Sequence, residues 1–331
     1  MQPGVVLAVG PNGAGKTNLL ESLHVGTQGF SPRTRADAQL IRFGADVARI
    51  TLDGSRDQVP VTVSVSLSTR AAKRATLNGA KLATAEQLRR EIETLVFTPD
   101  RLAIVKGGPA ARRAYFDRTL ARLQPARATL PSEYAAAIAQ RNAALRRVAS
   151  GLSSRAAVAP WTEQAVALGA ELVAARTETL TLLEPGFREA ADELGLAHAA
   201  LVYEGEPASA ADLEARLERD VERATTSVGP HLHDVRLLSA SRDLRRFGSQ
   251  GEQRLTVLAL LLAEAKVLAS HRSSQPLLLL DDVLSELDPA RRRVLARLVA
   301  EMGQTVVTAT QRSALPVEPA QLVEVELGSA R

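Results

Sequence analysis

The stretch Gly10-Pro-Asn-Gly-Ala-Gly-Lys-Thr17 decides the fold of this chain. It matches the spacing G-x-x-x-x-G-K-[ST], a loop whose backbone N–H groups surround phosphate oxygens. The apolar run at 5–9 predicts a buried strand before the loop, and residues 18–24 predict the first turns of a helix after it. In that context we expect Lys16 to reach the β- and γ-phosphates of a nucleotide and Thr17 to offer its hydroxyl to Mg²⁺.

A second stretch, Leu277-Leu-Leu-Leu-Asp281-Asp282, predicts a buried strand that ends in two carboxylates. Ligands of α/β sheets bind at the carboxyl ends of the strands. We therefore expect Asp281 to hold Mg²⁺, directly or through water, and Asp282 to act as general base toward an attacking water. The structural alternative is a strand followed by a helix-capping Asp-Asp pair, and the phosphate loop upstream favours the functional interpretation.

The helix predicted over 250–270 begins with a capping box formed by Ser249 and Glu252, which is a sufficient structural explanation of both residues. Gly251 lowers the helix propensity of the first turn, and a close approach of backbone to phosphate would explain its presence. Ser249, Gln250 and Gly251 are then a γ-phosphate sensor, provided that a second subunit presents them to the nucleotide. The run 285–288 predicts either a cap for the helix opened by Pro289 or a loop at a dimer interface.

The composition of the 331 residues is that of a globular protein, with 45% hydrophobic and 24% charged residues. Cysteine is absent, which excludes disulfides and thiolate metal sites and fits a cytoplasmic location. Apolar runs are too short for a membrane span, and the N-terminus has no secretion signal, so a membrane partner is not expected. The net charge of +4 comes mainly from arginine, which suits either a polyanionic partner or a GC-rich genome.

The predicted secondary structure changes in character twice along the chain. The first part is dominated by strand patterns and contains the turn dipeptide Asn78-Gly79. The middle part has helical patterns rich in Ala, Leu, Arg and Glu, and the last part has alternating strand and helix patterns. Pro185-Gly186 is expected to interrupt the helices. The sequence therefore predicts a discontinuous nucleotide-binding head, residues 1–110 and 225–331, with a mainly helical lobe inserted at 111–224.

These motifs resemble those of the ABC-type ATPases, and longer runs resemble the RecF family over nearly the whole chain. The runs are residues 10–21, 35–44, Phe97-Thr-Pro-Asp-Arg-Leu-Ala-Ile-Val-Lys-Gly-Gly-Pro109 with Arg112-Arg113, Gln140-Arg-Asn142, 226–231 and 278–288. The resemblance implies an α/β fold, an ABC-type P-loop ATPase head with an inserted mainly helical lobe. It also implies ATP and Mg²⁺ as cofactors, an ATP-dependent homodimer, slow hydrolysis and DNA binding. RecR-like mediator and RecA-like recombinase partners at single-strand gaps follow from the same resemblance.

The resemblance assigns site residues by matching position. Those expected to contact ATP are Gly10, Pro11, Asn12, Gly13, Ala14, Gly15, Lys16, Thr17 and Asn18, with Ser249, Gln250 and Gly251 of a second copy. Thr17, Asp281 and Gln39 are expected to serve the metal, and Asp282 and Lys16 catalysis. Asp282 is one methylene shorter than the glutamate of transporter ATPases, which predicts slow hydrolysis. Thr310 stands where many ABC enzymes have histidine, and either orients a phosphate oxygen or merely ends the strand.

The chain departs from the family at two other places. A single strand precedes the phosphate loop, where relatives begin with a strand hairpin, which predicts an unpaired sheet edge. Where the family has Gly-Pro-His-Arg-Asp-Asp, this chain has Gly229-Pro-His-Leu-His-Asp234. Two other functional classes stay open at this point: a transporter-type ABC ATPase subunit, and a structural protein whose ATP site has decayed.

Contact with gapped, single-stranded or double-stranded DNA is expected to be electrostatic and sensitive to salt. Three groups of arginines are candidates for it, namely 33, 35 and 42, then 112, 113, 118 and 122, then 141, 146 and 147. Solvated charged faces are the alternative for each group. Aromatic residues make up 3% of the chain, so base stacking is not expected to dominate.

Overall fold

The computed structural model describes residues 1–56, 59–271 and 275–330. In chain order the strands are β1 (Val5–Val9), β2 (Val47–Arg56), β3 (Val59–Ser68), β4 (Arg74–Leu77), β5 (Ala80–Lys81), β6 (Thr94–Phe97), β7 (Ala199–Glu204), β8 (Asp234–Ser239), β9 (Arg242–Asp243), β10 (Leu277–Leu280), β11 (Thr305–Ala309), β12 (Gln321–Glu326) and β13 (Ser329–Ala330). The helices are α1 (Lys16–Gln28), α2 (Ala85–Glu91), α3 (Ala103–Lys106), α4 (Pro109–Leu123), α5 (Leu130–Ala149), α6 (Ala159–Glu193), α7 (Ala210–Ala215), α8 (Leu217–Arg223), α9 (Leu244–Phe247), α10 (Gln250–His271) and α11 (Pro289–Ala300).

The phosphate loop leaves a six-stranded sheet whose strand order is β13-β12-β1-β11-β10-β6. Its pairs are parallel apart from β12 with β13. Parallel strands covered on both faces need continuous apolar runs, which explains why Leu278, Leu279 and Leu280 are completely buried. The carboxyl ends of β1 and β10 therefore lie at one edge of the sheet. β1 itself pairs with β11 on one side and β12 on the other, so the strand before the loop is not a sheet edge.

A second sheet, with the order β2-β3-β4-β5, is antiparallel and has one buried face. On β3 the buried Val63, Val65 and Leu67 alternate with more exposed residues, and these three side chains pack in one core with Val25 of α1 and Leu88 of α2. The predicted turn at Asn78-Gly79 is confirmed: both residues have positive φ, 48° and 82°, and join β4 to β5. This hairpin sheet presents its other face to solvent.

The chain divides into two compact units, each with its own core. The first comprises Met1–Leu102, Glu193–Gly195 and the chain from Val257 onward, and the second comprises Ala103–Asp192 and Leu196–Thr256. The second unit contains helices and also the three-stranded sheet β7-β8-β9, whose strands come from both sides of residue 225. The sequence did not predict β7. The domain boundaries at 110/111 and 224/225 stay a prediction about independently folding parts.

Helix α6 contradicts the predicted interruption at Pro185-Gly186. The helix runs unbroken from Ala159 to Glu193, with Pro185 inside it. Proline removes one backbone hydrogen bond, but the turns on both sides are held by tertiary packing, because Leu183 and Phe187 are completely buried. Burial of these neighbours therefore outweighs the local cost of the proline.

In the second unit, a buried ion pair between Arg141 and Asp220 connects α5 to α8. Arg141 Nη1 donates to Asp220 Oδ2 at 2.8 Å and to Thr226 Oγ1 at 2.8 Å, and both charged side chains are 0% exposed. Thr226 in turn donates through its N and Oγ1 to Asn142 Oδ1, at 2.8 and 2.7 Å. Two of the family-like runs, 140–142 and 226–231, thus meet in one hydrogen-bonded core.

We expect Asp220→Ala to lower the free energy of unfolding of this unit by about 3–5 kcal/mol, because it leaves the Arg141 guanidinium buried without its counter-charge. Urea unfolding followed by the emission of Trp161, the chain's single tryptophan, reports on this unit. The matched control is Glu218→Ala in the same helix, which removes an exposed pair with Arg155 and is expected to change stability by about 0–1 kcal/mol. Equal effects of the two variants would contradict the assigned role of Asp220.

Candidate nucleotide-binding site

The phosphate loop has the backbone conformation that an anion site requires. Gly13 and Gly15 have φ values of 84° and 106°, in the left-handed region that side chains rarely enter, and open space surrounds both. A Cβ on Gly10 would lie 2.2 Å from the backbone oxygen of Val325, so only glycine fits there. Gly15 is the N-cap of α1 and provides no side-chain cap, which leaves the first N–H groups of the helix available to an anion.

Lys16 is held against the loop by main-chain carbonyls. Its Nζ donates to the backbone oxygens of Gly10 at 2.6 Å and Pro11 at 2.9 Å. The ammonium is thus fixed beside the open N–H groups of the loop. Cation and helix N-terminus together create a strongly positive concavity that suits a polyphosphate.

Asp281 links the two predicted halves of the site, which are 264 positions apart in the chain. Thr17 Oγ1 donates to Asp281 Oδ1 at 3.2 Å, and Thr308 Oγ1 donates to the same oxygen at 2.8 Å. Asp281 is buried, and its backbone N donates to the oxygen of Phe97 at 3.0 Å. The parallel register of β6, β10 and β11 therefore places this carboxylate beside the first turn of α1.

The residues at this edge fit a Mg²⁺ ion. Oxygen is the ligand atom that Mg²⁺ prefers, at about 2.0–2.1 Å in octahedral geometry, so neighbouring ligand oxygens lie about 3 Å apart. The 3.2 Å between Thr17 Oγ1 and Asp281 Oδ1 matches that spacing. Within the described residues no group of three or more His, Asp or Glu side chains is arranged to hold a metal by itself.

Asp282 follows at the same edge in a strained backbone conformation. Its φ is 48°, and its backbone N donates to Thr308 Oγ1 at 2.9 Å. Asp tolerates this left-handed region better than most residues, and such conformations concentrate at functional sites. Thr308 thus fixes both carboxylate residues, through a side-chain bond to one and a backbone bond to the other.

Sequence reasoning missed Thr308, which lies in β11 and belongs to none of the recognised motifs. The hydroxyl is completely buried in an otherwise apolar run, Val306 and Val307 being its neighbours. A buried polar group must find a partner, so a threonine in the strand next to β10 was a detectable sign of the Asp281 contact. Thr310, the residue considered at the switch position, is exposed directly after β11.

Gln39 is not joined to the metal-site residues by a hydrogen bond. It lies in a short 3-10 helix, Asp37–Leu40, where its Oε1 accepts a hydrogen bond from Thr34 Oγ1 at 2.5 Å. Among the described residues, neither Thr17 nor Asp281 bonds to it. A role for Gln39 at the metal therefore stays a prediction.

The helix start at 249–251 has the predicted capping box. Ser249 N donates to Glu252 Oε2 at 2.7 Å, and Glu252 N donates to Ser249 Oγ at 3.2 Å. A Cβ on Gly251 would meet nothing closer than Ser249 Oγ at 4.0 Å, so packing within the chain does not require glycine there. The exposed first turn of α10 is therefore open to an approaching group from outside the chain.

Asp288 is the N-cap of α11, as the structural alternative for 285–288 predicted. Its Oδ1 accepts from Ala290 N at 3.0 Å and from Arg291 N at 2.9 Å. The hydrogen bond from the Arg291 backbone lowers the pKa of the Asp288 carboxyl below its ordinary value. A role for this segment at a dimer interface stays a prediction.

Two of the arginines considered for DNA are structural instead. Arg141 is completely buried, and Arg112 is 3% exposed and forms a two-pronged ion pair with Asp234, at 2.7 and 2.6 Å. The sequence could not distinguish these buried arginines from exposed ones. Helical periodicity identifies buried positions by their apolar residues, and an arginine in a buried ion pair is not apolar. At the departure from the family motif, Leu232 is exposed, and the half-buried His231 accepts a hydrogen bond from Tyr134.

Comparisons with known proteins match this chain over nearly its whole length. The model of the RecF/RecN/SMC N terminal domain matches residues 1–327. The DNA replication and repair protein RecF of Heliobacterium modesticaldum is 35% identical over 330 residues, and that of Anaeromyxobacter dehalogenans strain 2CP-C is 39% identical over 340 residues. Each alignment covers 96% of this chain and 89% of the relative.

Solved structures extend the comparison to the fold. The recombination mediator protein RecF with ATP, in the RecFOR pathway, is 25% identical with a TM-score of 0.85, covering 100% of this chain and 92% of that one. The Smc head domain of Pyrococcus furiosus is 18% identical with a TM-score of 0.59, covering 99% and 89%, and shows likeness of fold alone. The predicted α/β fold of an ABC-type ATPase head with added helices is confirmed. No helix in the described part of the chain is both long and apolar enough to cross a membrane.

Proposed function

The chain belongs to the RecF family of DNA replication and repair proteins, and from this we propose that it is an ATP-gated DNA clamp with weak, DNA-stimulated ATPase activity. Membership of this family excludes the transporter-type alternative. A solved relative is RecF with ATP, and ATP is the nucleotide we assign to this loop.

The contact between Thr17 Oγ1 and Asp281 Oδ1 carries the proposal, because it unites the phosphate loop with the acidic strand end at one point. Thr17 and Asp281 would hold Mg²⁺, which when bound neutralises charge on the β- and γ-phosphates. The Lys16 ammonium would exchange its contacts with the Gly10 and Pro11 carbonyls for phosphate oxygens. The open N–H groups of the loop would bind the remaining phosphate oxygens.

Asp282 is proposed to accept the proton of the attacking water. Its backbone is fixed through Thr308, so the carboxylate is presented at the edge where the γ-phosphate would lie. Its short side chain reaches less far than a glutamate would, which supports slow turnover. Slow hydrolysis suits a clamp, because it sets how long the closed state lasts.

Closure is proposed to occur between two copies of the chain. Ser249, Gln250 and Gly251 of one copy would cap the ATP bound by the other, using the exposed first turn of α10 and its partial positive charge. The open space around Gly251 supports close approach of a phosphate to this backbone. ATP would thereby hold the dimer closed on gapped, single-stranded or double-stranded DNA.

A RecR-like mediator and a RecA-like recombinase are the proposed protein partners, by analogy with the RecFOR pathway named for the relatives. The proposed location is the nucleoid within the cytoplasm. The clamp would mark single-strand gaps so that the recombinase is loaded there.

We expect ATP to strengthen binding to gapped and double-stranded DNA, because the closed dimer presents the arginines of two copies to one molecule of DNA. Fluorescence anisotropy with labelled DNA, between about 50 and 200 mM salt, measures this and should give a steep loss of affinity with salt. ADP provides the control for nucleotide binding without a γ-phosphate. Affinities that are the same with ATP, with ADP and without nucleotide would refute the clamp.

A further inference from the structure

Phe43 is the most exposed large apolar side chain in the described part of the chain, at 104% of its reference area. It lies at the tip of a tight turn, where Ala45 N donates to the backbone oxygen of Arg42 at 2.9 Å. Gly44, with φ of 82°, occupies the position that requires a left-handed residue. Residues 42–45 thus form a defined turn, and the aromatic ring at its tip is exposed to solvent.

The turn is anchored at its base. Leu40 and Ile41 pack against the core of the hairpin sheet, and Asp46 accepts a hydrogen bond from the backbone of Thr69 at 3.1 Å. Lys73 Nζ adds bonds to Asp37 at 2.9 Å and to the Gly29 oxygen at 2.7 Å. Because its base is fixed, the Phe43 ring is held out on a supported loop.

The turn and the hairpin sheet carry arginines without an ion pair among the residues that the structure describes. Arg35 and Arg42 are exposed and form no ion pair or side-chain hydrogen bond with the residues that the structure describes. Arg49 on β2 and Arg74 on β4 both lie opposite Ser66 of β3, so they share the solvent face of the hairpin sheet. Neither has an ion pair within the described chain. A positive surface therefore continues from the turn onto the sheet.

One aromatic ring among free guanidinium groups matches the chemistry of an unpaired nucleic-acid base with its phosphates. Bases stack on aromatic side chains with little regard to sequence, while the backbone contacts arginine. A protein partner would favour a contiguous apolar patch, whereas the neighbours of Phe43 at the tip are Arg42, Gly44 and Ala45. The charge around the ring therefore favours a polyanion.

We propose that Phe43 stacks on an unpaired base of gapped DNA while Arg35 and Arg42 bind the adjacent phosphates. This inference rests on the proposed function, and it adds a means to distinguish a gap from an intact duplex. Stacking by one ring is compatible with binding that is mainly electrostatic. The 3% aromatic content limits how many bases are stacked but leaves room for a single one.

The test is anisotropy with gapped and intact duplexes of equal length, in the presence of ATP. Phe43→Ala is expected to weaken binding to gapped DNA by about tenfold or more, the effect of losing one stacked base, with an unchanged salt dependence. Intact duplex should bind nearly as before. Arg42→Gln should weaken both DNAs and lower the salt slope by about one phosphate contact. Leu152→Ala, at another exposed apolar side chain, should change neither affinity.

A direct probe is Phe43→Trp combined with Trp161→Phe, so that the introduced indole is the single fluorophore. Saturating gapped DNA should quench its emission through stacking. Unchanged affinity of Phe43→Ala for gapped DNA, unquenched emission, or equal losses on gapped and intact DNA would each overturn the proposal. If the unaltered protein binds no DNA, the proposed function fails together with this inference.

Discussion

Lys16→Ala is expected to abolish ATP binding under ordinary assay conditions, with a loss of affinity of about a hundredfold or more. The structure fixes the Lys16 ammonium against the phosphate loop, through the Gly10 and Pro11 carbonyls. Hydrogen bonds to charged groups contribute about 1.5–3 kcal/mol, and Lys16 would make several to the phosphates. Isothermal titration calorimetry with ATP and Mg²⁺ measures the loss.

Two further variants separate the charge from its structural contacts. Lys16→Gln retains a donor for the loop carbonyls but removes the charge, and it should also lose ATP. Lys81→Ala, at an exposed lysine of the same unit, should bind ATP as the unaltered protein does. Unchanged ATP affinity in Lys16→Ala would show that the loop does not bind the nucleotide in the assigned way. Thermal unfolding of each variant checks that the loop still folds.

Many strands of the first unit could be predicted from the sequence, because each is a short apolar run bounded by clear turn residues. The strands around the phosphate loop and before Asp281, and the Asn78-Gly79 hairpin, lie where the patterns indicated. Their strand order could not be predicted, because pairing of β1 with β11 and β12 joins segments about 300 residues apart. That pairing is decided by tertiary packing, which no local window contains.

The second unit was less predictable, for opposite reasons at two places. Pro185 is a strong local interruption that packing of Leu183 and Phe187 overrides. β7 is a weak local pattern, and its pairing with β8 across a separation of about 30 residues makes it a strand. Local propensity is thus overruled in both directions by burial and by non-local hydrogen bonds.

The phosphate-loop and acidic-strand motifs can be recognised in the sequence, whereas the residues that support them cannot. Each motif ends a strand or begins a helix, so the sequence could place Lys16, Thr17 and Asp281 on their elements. The contact between Thr17 and Asp281 depends in addition on the strand order of the sheet. Thr308 and the inward direction of Arg141 depend on which neighbours surround them, and periodicity carries no such information. Residues that support a site therefore need the fold before they can be identified.

The second prediction with a large expected effect concerns the proposal that each ATP site is formed by two copies of the chain. Ser249→Arg is expected to leave ATP binding by the chain's own phosphate loop intact and to abolish ATP-induced dimers. A bulky arginine side chain would occupy the exposed first turn of α10, where the ATP of the second copy is proposed to bind. Its charge attracts the nucleotide, but its bulk obstructs the close approach of a phosphate to Gly251. Sedimentation velocity with and without ATP measures the dimer.

The matched control is Ser209→Arg. Ser209 and Asp212 form an equivalent exposed capping box at the start of α7, so this variant loses the same cap, worth about 1 kcal/mol, away from the proposed interface. It should dimerise normally with ATP. Dimers that persist in Ser249→Arg would refute the capping role, and dimers lost in both variants would attribute the effect to helix capping.

Mixing the two defective proteins tests whether one site is built from two copies. Lys16→Ala retains Ser249 but cannot bind ATP, and Ser249→Arg binds ATP but cannot cap it. A dimer of one copy of each contains one intact site, formed by Lys16 of the second protein and Ser249 of the first. We therefore expect the mixture to recover ATP-dependent dimers and ATPase activity that neither protein has alone. Sites contained within a single chain predict no recovery, because each copy would carry its own defect, and a mixture as inactive as its components would contradict the composite site.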